Sequence, residues 1–286
     1  MGNGGICVVG AGLMGGSLVL ALRPFFPYLA VVDTNPDTRL AVAQVADLVT
    51  ADFRTGVQDV DVVVLATPVR TILRLLAQLP VVRPDGCLVV DVGSTKTAVC
   101  RAMNQLPAQF AAIGGHPMCG REVAGFAAAT PDLYRDKVFV LCRTERTNEI
   151  VEETALELVF RLGARPIFLE PERHDELVAA ISHLPYLVSA ALVGVVAAQH
   201  GDAAWSVAAS GFRDSSRLAG SDPEMLLDIL LTNKTAVLRH LQKYGEAVKA
   251  LTQCLQANNE EKLRAWLKEV QQSYLAYRRA IDENVE

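Results

Sequence analysis

Apolar and polar positions follow two different rhythms along the chain. Up to about residue 170, short β-branched runs alternate with stretches of helical spacing. Ile6–Val9 predicts a first strand and Leu13–Leu22 a helix behind it. Residues 30–32, 62–66, 87–91, 138–142 and 165–169 predict further strands, with helices over 37–44, 69–78, 97–106 and 148–162. VVVLA at 62–66 has no polar position, the pattern of a strand covered on both faces. Strands alternating with helices predict an α/β fold with a doubly wound parallel sheet. After Pro171 the strand pattern stops. Helical spacing runs over 171–200, 223–255 and 260–281, so residues 1–170 and 171–286 are expected to form an α/β domain and an all-helical domain. In the last helix Leu263, Leu267, Val270 and Tyr274 share one face, which suits either core packing or a subunit interface.

Composition narrows the classes. Of 286 residues, 51% are hydrophobic and 21% charged, enough to fill a sizeable core and unlike a disordered chain. The net charge of −5 and the lack of a basic stripe argue against a nucleic-acid partner. The six cysteines, Cys7, Cys87, Cys100, Cys119, Cys142 and Cys254, form no CxxC pair and read as free thiols of a reducing, cytoplasmic setting. No residue is assigned as a metal ligand. No run is expected to cross a bilayer. Residues 174–194 come closest, but contain Asp175, Glu176, His183 and Pro185. The N-terminus reads as a first strand, not as a signal segment.

Gly10-Ala11-Gly12-Leu13-Met14-Gly15 reads GxGxxG between the first strand and the first helix. Gly10 allows the tight turn, Gly12 lets backbone approach a pyrophosphate, and Gly15 lets helix and strand pack closely. Free N–H groups, those of Leu13 and Met14 among them, would meet the phosphates at the positive end of the helix dipole. The motif expects an acid about twenty residues on, where Asp33 ends the second strand. An acid there favours NAD over NADP, although Arg39 lies near. Thr67 and Pro68 stop the third strand sharply and are expected to line the cofactor.

Two further strand ends carry chemistry. Ser94 and Thr95 follow LVVD and precede a helix; either caps that helix or hydrogen-bonds a substrate or catalytic partner. GGHPMCG at 114–120 places His116 among Gly114, Gly115 and Pro117. Those residues break regular structure, so His116 is expected on a turn at a strand end, where α/β proteins keep functional groups.

The glycine turn with Asp33, then DVGSTK (91–96), GGHPMCG (114–120), HDELVAAISHLPY (174–186) and GFRDSSRLAGSDPEM (211–225) occur in that order. In these segments the chain resembles the prephenate and arogenate dehydrogenase family of tyrosine biosynthesis, over nearly its whole length. The resemblance implies NAD-dependent oxidative decarboxylation of a cyclohexadienol, prephenate or else arogenate. It implies His116 as the catalytic imidazole and Ser94 as a serine bonded to that histidine or to the substrate hydroxyl. It implies Arg217 as the carboxylate-binding arginine, for which a guanidinium fork is suited. His183 in SHLP is either a substrate ligand or a core histidine, and His174 pairs with Asp175 or a backbone group. The chain departs from the family at two places. Tyr186 stands where many relatives have a second histidine, which bears on recognition of the substrate side chain. Arg121 stands where relatives have a small hydroxyl residue, as an extra carboxylate ligand or a solvent-facing charge. A homodimer through the helical half is expected. Two alternatives remain at this point: a β-hydroxyacid-type dehydrogenase, which would need an acid group in the helical domain, and a nucleotide-sensing protein without catalysis.

Overall fold

The computed structural model describes residues 4–120, 123 and 125–283. Eight strands form a single sheet: β1 (Ile6–Val9), β2 (Leu29–Val32), β3 (Leu48–Thr50), β4 (Val62–Leu65), β5 (Leu88–Asp91), β6 (Ala111–Pro117), β7 (Val138–Arg143) and β8 (Arg165–Phe168). Their order is β3-β2-β1-β4-β5-β6-β7-β8. The chain reverses direction across the sheet between β1 and β4, so strand ends diverge there and leave the crevice in which doubly wound sheets bind ligands. Helices α1 (Leu13–Leu22), α2 (Pro36–Val42), α3 (Phe53–Gly56), α4 (Val69–Val82), α5 (Thr97–Asn104) and α6 (Glu149–Arg161) connect the strands. The two faces of the sheet carry separate cores. Leu18, Val31, Val64 and Leu158 lie in one; Cys7, Val63, Ile72 and Met103 lie in the other. Alternate residues of β4 enter opposite cores, which is why its sequence has no polar position.

Three local expectations change. The sheet is parallel throughout except that β7 runs antiparallel to β6; among the described residues between them, the one helical element is the short 3-10 turn Phe126–Ala128. The short strand β3 escapes the pattern because it pairs on one side only and is half-buried. And His116, expected on a turn, lies within strand β6. The strand continues through Gly114, Gly115 and His116 to Pro117, paired with β7. The glycines fit a strand there because neighbours crowd it. A Cβ on Gly115 would lie 2.5 Å from the Asp91 carbonyl oxygen and 2.9 Å from the Phe139 ring.

After β8 the chain is helical: α7 (Pro171–Val178), a π-helical turn (Ala179–His183), α8 (Leu184–Gln199), α9 (Gly201–Val207), α10 (Ser210–Ser216), a 3-10 turn (Arg217–Gly220), α11 (Pro223–Thr232), α12 (Lys234–Gln256) and α13 (Glu260–Glu283). The run Pro171–Gln199 is 29 residues long and apolar enough, by length and composition, to cross a membrane. This corrects the expectation from sequence, in which the four polar residues broke the run. Its polar residues His174, Asp175 and His183 are buried, and hydrogen bonds tie the first two to β6 and α5. That makes it an anchored helix of the domain.

By contacts the chain gathers into two compact units, Met1–Val237 and Leu238–Glu286. In the first, Asp228 on α11 accepts hydrogen bonds from the Arg70 backbone N–H and guanidinium on α4. Thr95 and Thr232 share a 2.9 Å hydroxyl bond. The second holds most of α12 and α13, with Leu267, Val270 and Tyr274 about half exposed.

Candidate active site

The glycine turn has the geometry its sequence predicts. Gly10 adopts φ +90°, in the left-handed region that favours glycine. A Cβ on Gly15 would lie 1.8 Å from the Gly10 carbonyl oxygen, whereas a Cβ on Gly12 would meet nothing within 4 Å. Gly15 is therefore required by the protein's own packing, and Gly12 leaves a space. Leu13 and Met14 open α1, so their N–H groups belong to its unpaired first turn. Asp33 closes the turn from the end of β2: one carboxylate oxygen accepts from Ala11 N–H at 2.7 Å and the other from Asn35 N–H at 2.8 Å. Arg39 donates through Nη1 to the backbone carbonyls of Asp33 and Thr34, each at 2.9 Å. Thr67 and Pro68 follow β4, and Thr67 Oγ1 is buried with no hydrogen-bond partner. Buried hydroxyls are normally satisfied, so this orphan beside Gly10 fits a site built for a ligand.

The second half of the site lies at the same edge of the sheet, at the ends of β5 and β6. His116 Nδ1 sits 2.8 Å from His174 Nε2, and His174 Nδ1 sits 2.8 Å from Asp175 Oδ1. Asp175 also accepts from the backbone N–H groups of Lys96 (2.7 Å) and Thr97 (2.9 Å). Burial pushes the Asp175 carboxyl up, but the hydrogen bonds from His174, Thr97 and Lys96 outweigh it and hold the group below its ordinary range. An ionised carboxylate only accepts, so His174 Nδ1 donates to it. With its proton at Nδ1, His174 accepts at Nε2 from His116 Nδ1–H, and His116 Nε2 is left with a free lone pair. Burial, reinforced by His174, Lys96 and His183, holds the His116 imidazole well below its ordinary value. The arrangement supplies a neutral base of fixed tautomer.

Asp175 also explains the start of α5. Neither Ser94 nor Thr95 caps that helix: Thr95 bonds Thr232, and the N-terminal N–H groups are taken by Asp175 from α7. Ser94 is half-buried on the β5–α5 loop. The bond at His116 Nδ1 goes to His174, with no Ser94 bond to that ring among the described residues.

The remaining expected residues spread over the helices. His183 is buried in the π-helical turn, 3.4 Å from Asn233 Nδ2, and burial lowers its imidazole to about 4. Asn233 donates to the Asp175 carbonyl oxygen at 2.7 Å, so the histidine stands behind the Asp175 segment. Tyr186 is half-buried on α8. Arg217 is exposed at the start of the 3-10 turn that packs on α8, where Ala219 N–H donates to Ser189 Oγ. Arg121 lies outside the described residues. The pairing of His174 with Asp175 is the one of its two expected alternatives that the structure shows; that the pair supports His116, and that Lys96 and Asn233 belong to the site, sequence reasoning missed. The adjacent His-Asp pair opening a helix was the only signal available for the first of these.

A dinucleotide turn and an unprotonated imidazole at one edge of the same sheet define a class: oxidoreductases that take hydride and proton from an alcohol. The chain belongs to the prephenate dehydrogenase family. Residues 19–168 match the model described as the nucleotide-binding domain of prephenate dehydrogenase, and residues 170–269 match its dimerization domain. A prephenate dehydrogenase of Bacillus subtilis is 32% identical over 273 residues, covering 92% of this chain and 73% of that protein. The crystal structure of prephenate dehydrogenase from Aquifex aeolicus in complex with hydroxyphenyl propionate and NAD+ superposes with TM-score 0.87 at 28% identity, covering 96% of this chain and 98% of the other. Synechocystis arogenate dehydrogenase superposes with TM-score 0.81 at 33% identity, covering 96% and 99%.

Proposed function

We propose that this chain is an NAD-dependent prephenate dehydrogenase, converting prephenate to 4-hydroxyphenylpyruvate in tyrosine biosynthesis. The observation that carries this reading is the His116–His174–Asp175 chain, which presents a neutral imidazole at the sheet edge that holds the glycine turn. The residues present fit NAD: Gly12 leaves open space, the α1 N-terminus offers unpaired N–H groups at Leu13 and Met14, and Asp33 is set for ribose hydroxyls. Thr67, with its orphan hydroxyl, and Pro68 line the same turn. When bound, the nicotinamide supplies the hydride acceptor.

His116 Nε2 takes the proton of the substrate's ring hydroxyl as hydride leaves the carbon that bears it. Loss of carbon dioxide then makes the ring aromatic, so the protein's main task is positioning. Ser94, on the loop between β5 and α5, is assigned a hydrogen bond to the reacting hydroxyl. Arg217 is assigned a substrate carboxylate, with Arg121 as a second cation. Tyr186 is assigned to the substrate side chain and His183 to the support of that pocket. Residues 171–286 serve substrate binding and dimerisation. The described apolar exposure on α13 supports a homodimer, and the free cysteines support a cytoplasmic setting.

Arogenate is the second reading. The similarity to the Synechocystis enzyme favours it, and Tyr186 in place of a histidine bears on the choice. The deciding measurement is nicotinamide reduction by the purified chain with prephenate and with arogenate, each with NAD and with NADP. Turnover of prephenate with NAD is expected. Turnover of arogenate alone would replace the substrate, a preference for NADP would overturn the reading of Asp33, and no turnover in any mixture would overturn the proposal.

A further inference from the structure

Lys96 and Asp91 form an ion pair that is fully buried, with both side chains at 0% exposure. Neither belongs to the relay above, and neither reaches solvent. Such pairs seldom add net stability, because desolvation of two charges offsets their attraction. What they grip is the peptide backbone next to His116. Lys96 Nζ donates to Asp91 and, at 2.7 Å, to the Gly115 carbonyl oxygen. Asp91 accepts from Gly115 N–H at 3.1 Å and from Gly93 N–H at 2.8 Å. Both polar groups of Gly115 are thus held from the β5 side, one residue before the base. Lys96 also reaches the far end of the relay, since its own N–H donates to Asp175. The bonds close a ring: Lys96 backbone, Asp175, His174, His116, Gly115, and back through the Lys96 side chain.

We propose that Lys96 and Asp91 are positioning residues for the base, clamping β6 at Gly115 so that the His116 ring meets His174 and keeps its outward nitrogen unprotonated. The proposal deepens the reading of His116 as a base and rests on it. The charged and titratable groups that act on the His116 ring are His174 from α7, His183 from the π-helical turn and Lys96 from the loop after β5; Asp175 stands behind His174 and Asp91 behind Lys96. Lys96 is among the groups that lower the His116 imidazole.

The test is the double variant Asp91→Asn/Lys96→Met, which removes both charges together and leaves no unpaired ion. Asparagine keeps one acceptor oxygen, which can serve Gly115 N–H, whereas the N–H of Gly93 loses its carboxylate partner. The first readout is the imidazole NMR titration of His116 in the protein without substrate, assigned by its loss in His116→Gln. A rise of about one pH unit relative to the unsubstituted protein is expected. The second is steady-state kinetics: kcat falls about tenfold or more with KM near its original value, because ring placement is lost and not substrate affinity. A folded double variant with unchanged titration and unchanged kcat would show that the pair only supports the fold. If that variant loses its cooperative melt, Asp91→Asn/Lys96→Gln, which restores a neutral donor toward Gly115, is judged by the same two readouts. The titration needs no substrate, so it reads the effect of the pair on the His116 ring even if prephenate is not turned over, and the fall in kcat reports the clamp.

Discussion

In the proposed mechanism, His116 accepts a proton at Nε2 because its Nδ1 already donates one. That donation is fixed by His174, whose other nitrogen is fixed by an ionised Asp175. Replacing His116 by Ala removes the base and leaves the glycine turn intact. We expect kcat/KM to fall by about a hundredfold or more, while NAD affinity, measured by calorimetry, stays within about twofold. The pH dependence follows from the direction of the His116 shift. A base held well below 6.5 is already unprotonated at neutral pH, so its acid limb lies on the acid side of the ordinary imidazole range. The candidate base was legible in GGHP. Its tautomer was not, because His174 stands far along the chain and on a different element.

At the scale of elements, the β1–α1 turn shows two glycines of the same motif under different constraints. Gly15 is confined by the protein, since a Cβ would overlap the Gly10 carbonyl oxygen; Gly12 faces open space. Gly15→Ala should therefore lower the melting temperature of the protein alone, by a destabilisation of about 1–3 kcal/mol. Gly12→Ala should leave that temperature nearly unchanged and weaken NAD binding. Melts with and without NAD separate the two effects, and equal stability losses in both variants would contradict this division. The turn was readable because strand, glycines and helix are contiguous. The extent of β6 was not: Gly114, Gly115 and Pro117 are strand breakers by composition. They are accommodated in a strand because Asp91, Phe139 and Cys100 press against the glycines, and β7 pairs along the whole segment.

For the whole molecule, the buried histidines set the response to acid. His183 ionises near 4 when folded, against 6.5 unperturbed, and His116 is lowered as well. The unfolded chain takes up these protons first. Their contribution is therefore complete above about pH 6.5 and is lost as pH falls toward the folded values, roughly 3 kcal/mol for His183 alone. Asp175, lowered when folded, adds a loss only below its ordinary 3.8. Denaturant unfolding between pH 7 and pH 4 should show falling stability, and His183→Asn should flatten the upper part of that fall. A slope unchanged in the variant would mean that His183 is not held neutral.

The sequence alone determined the α/β pattern, the change to helices near residue 170, the dinucleotide turn with Asp33, and His116 as the candidate base. Each of these is local, a matter of spacing within one element or one loop. Only the tertiary structure decided the direction of β7, the continuation of β6 through its glycines, the His174–Asp175 support and the Lys96–Asp91 clamp. Those depend on contacts between residues far apart in the chain, such as Gly115 with Asp91 and His116 with His174. Spacing along the chain carries no record of which strand neighbours which. Register and packing supply it, and with it the hydrogen bonds that turn a histidine into a base.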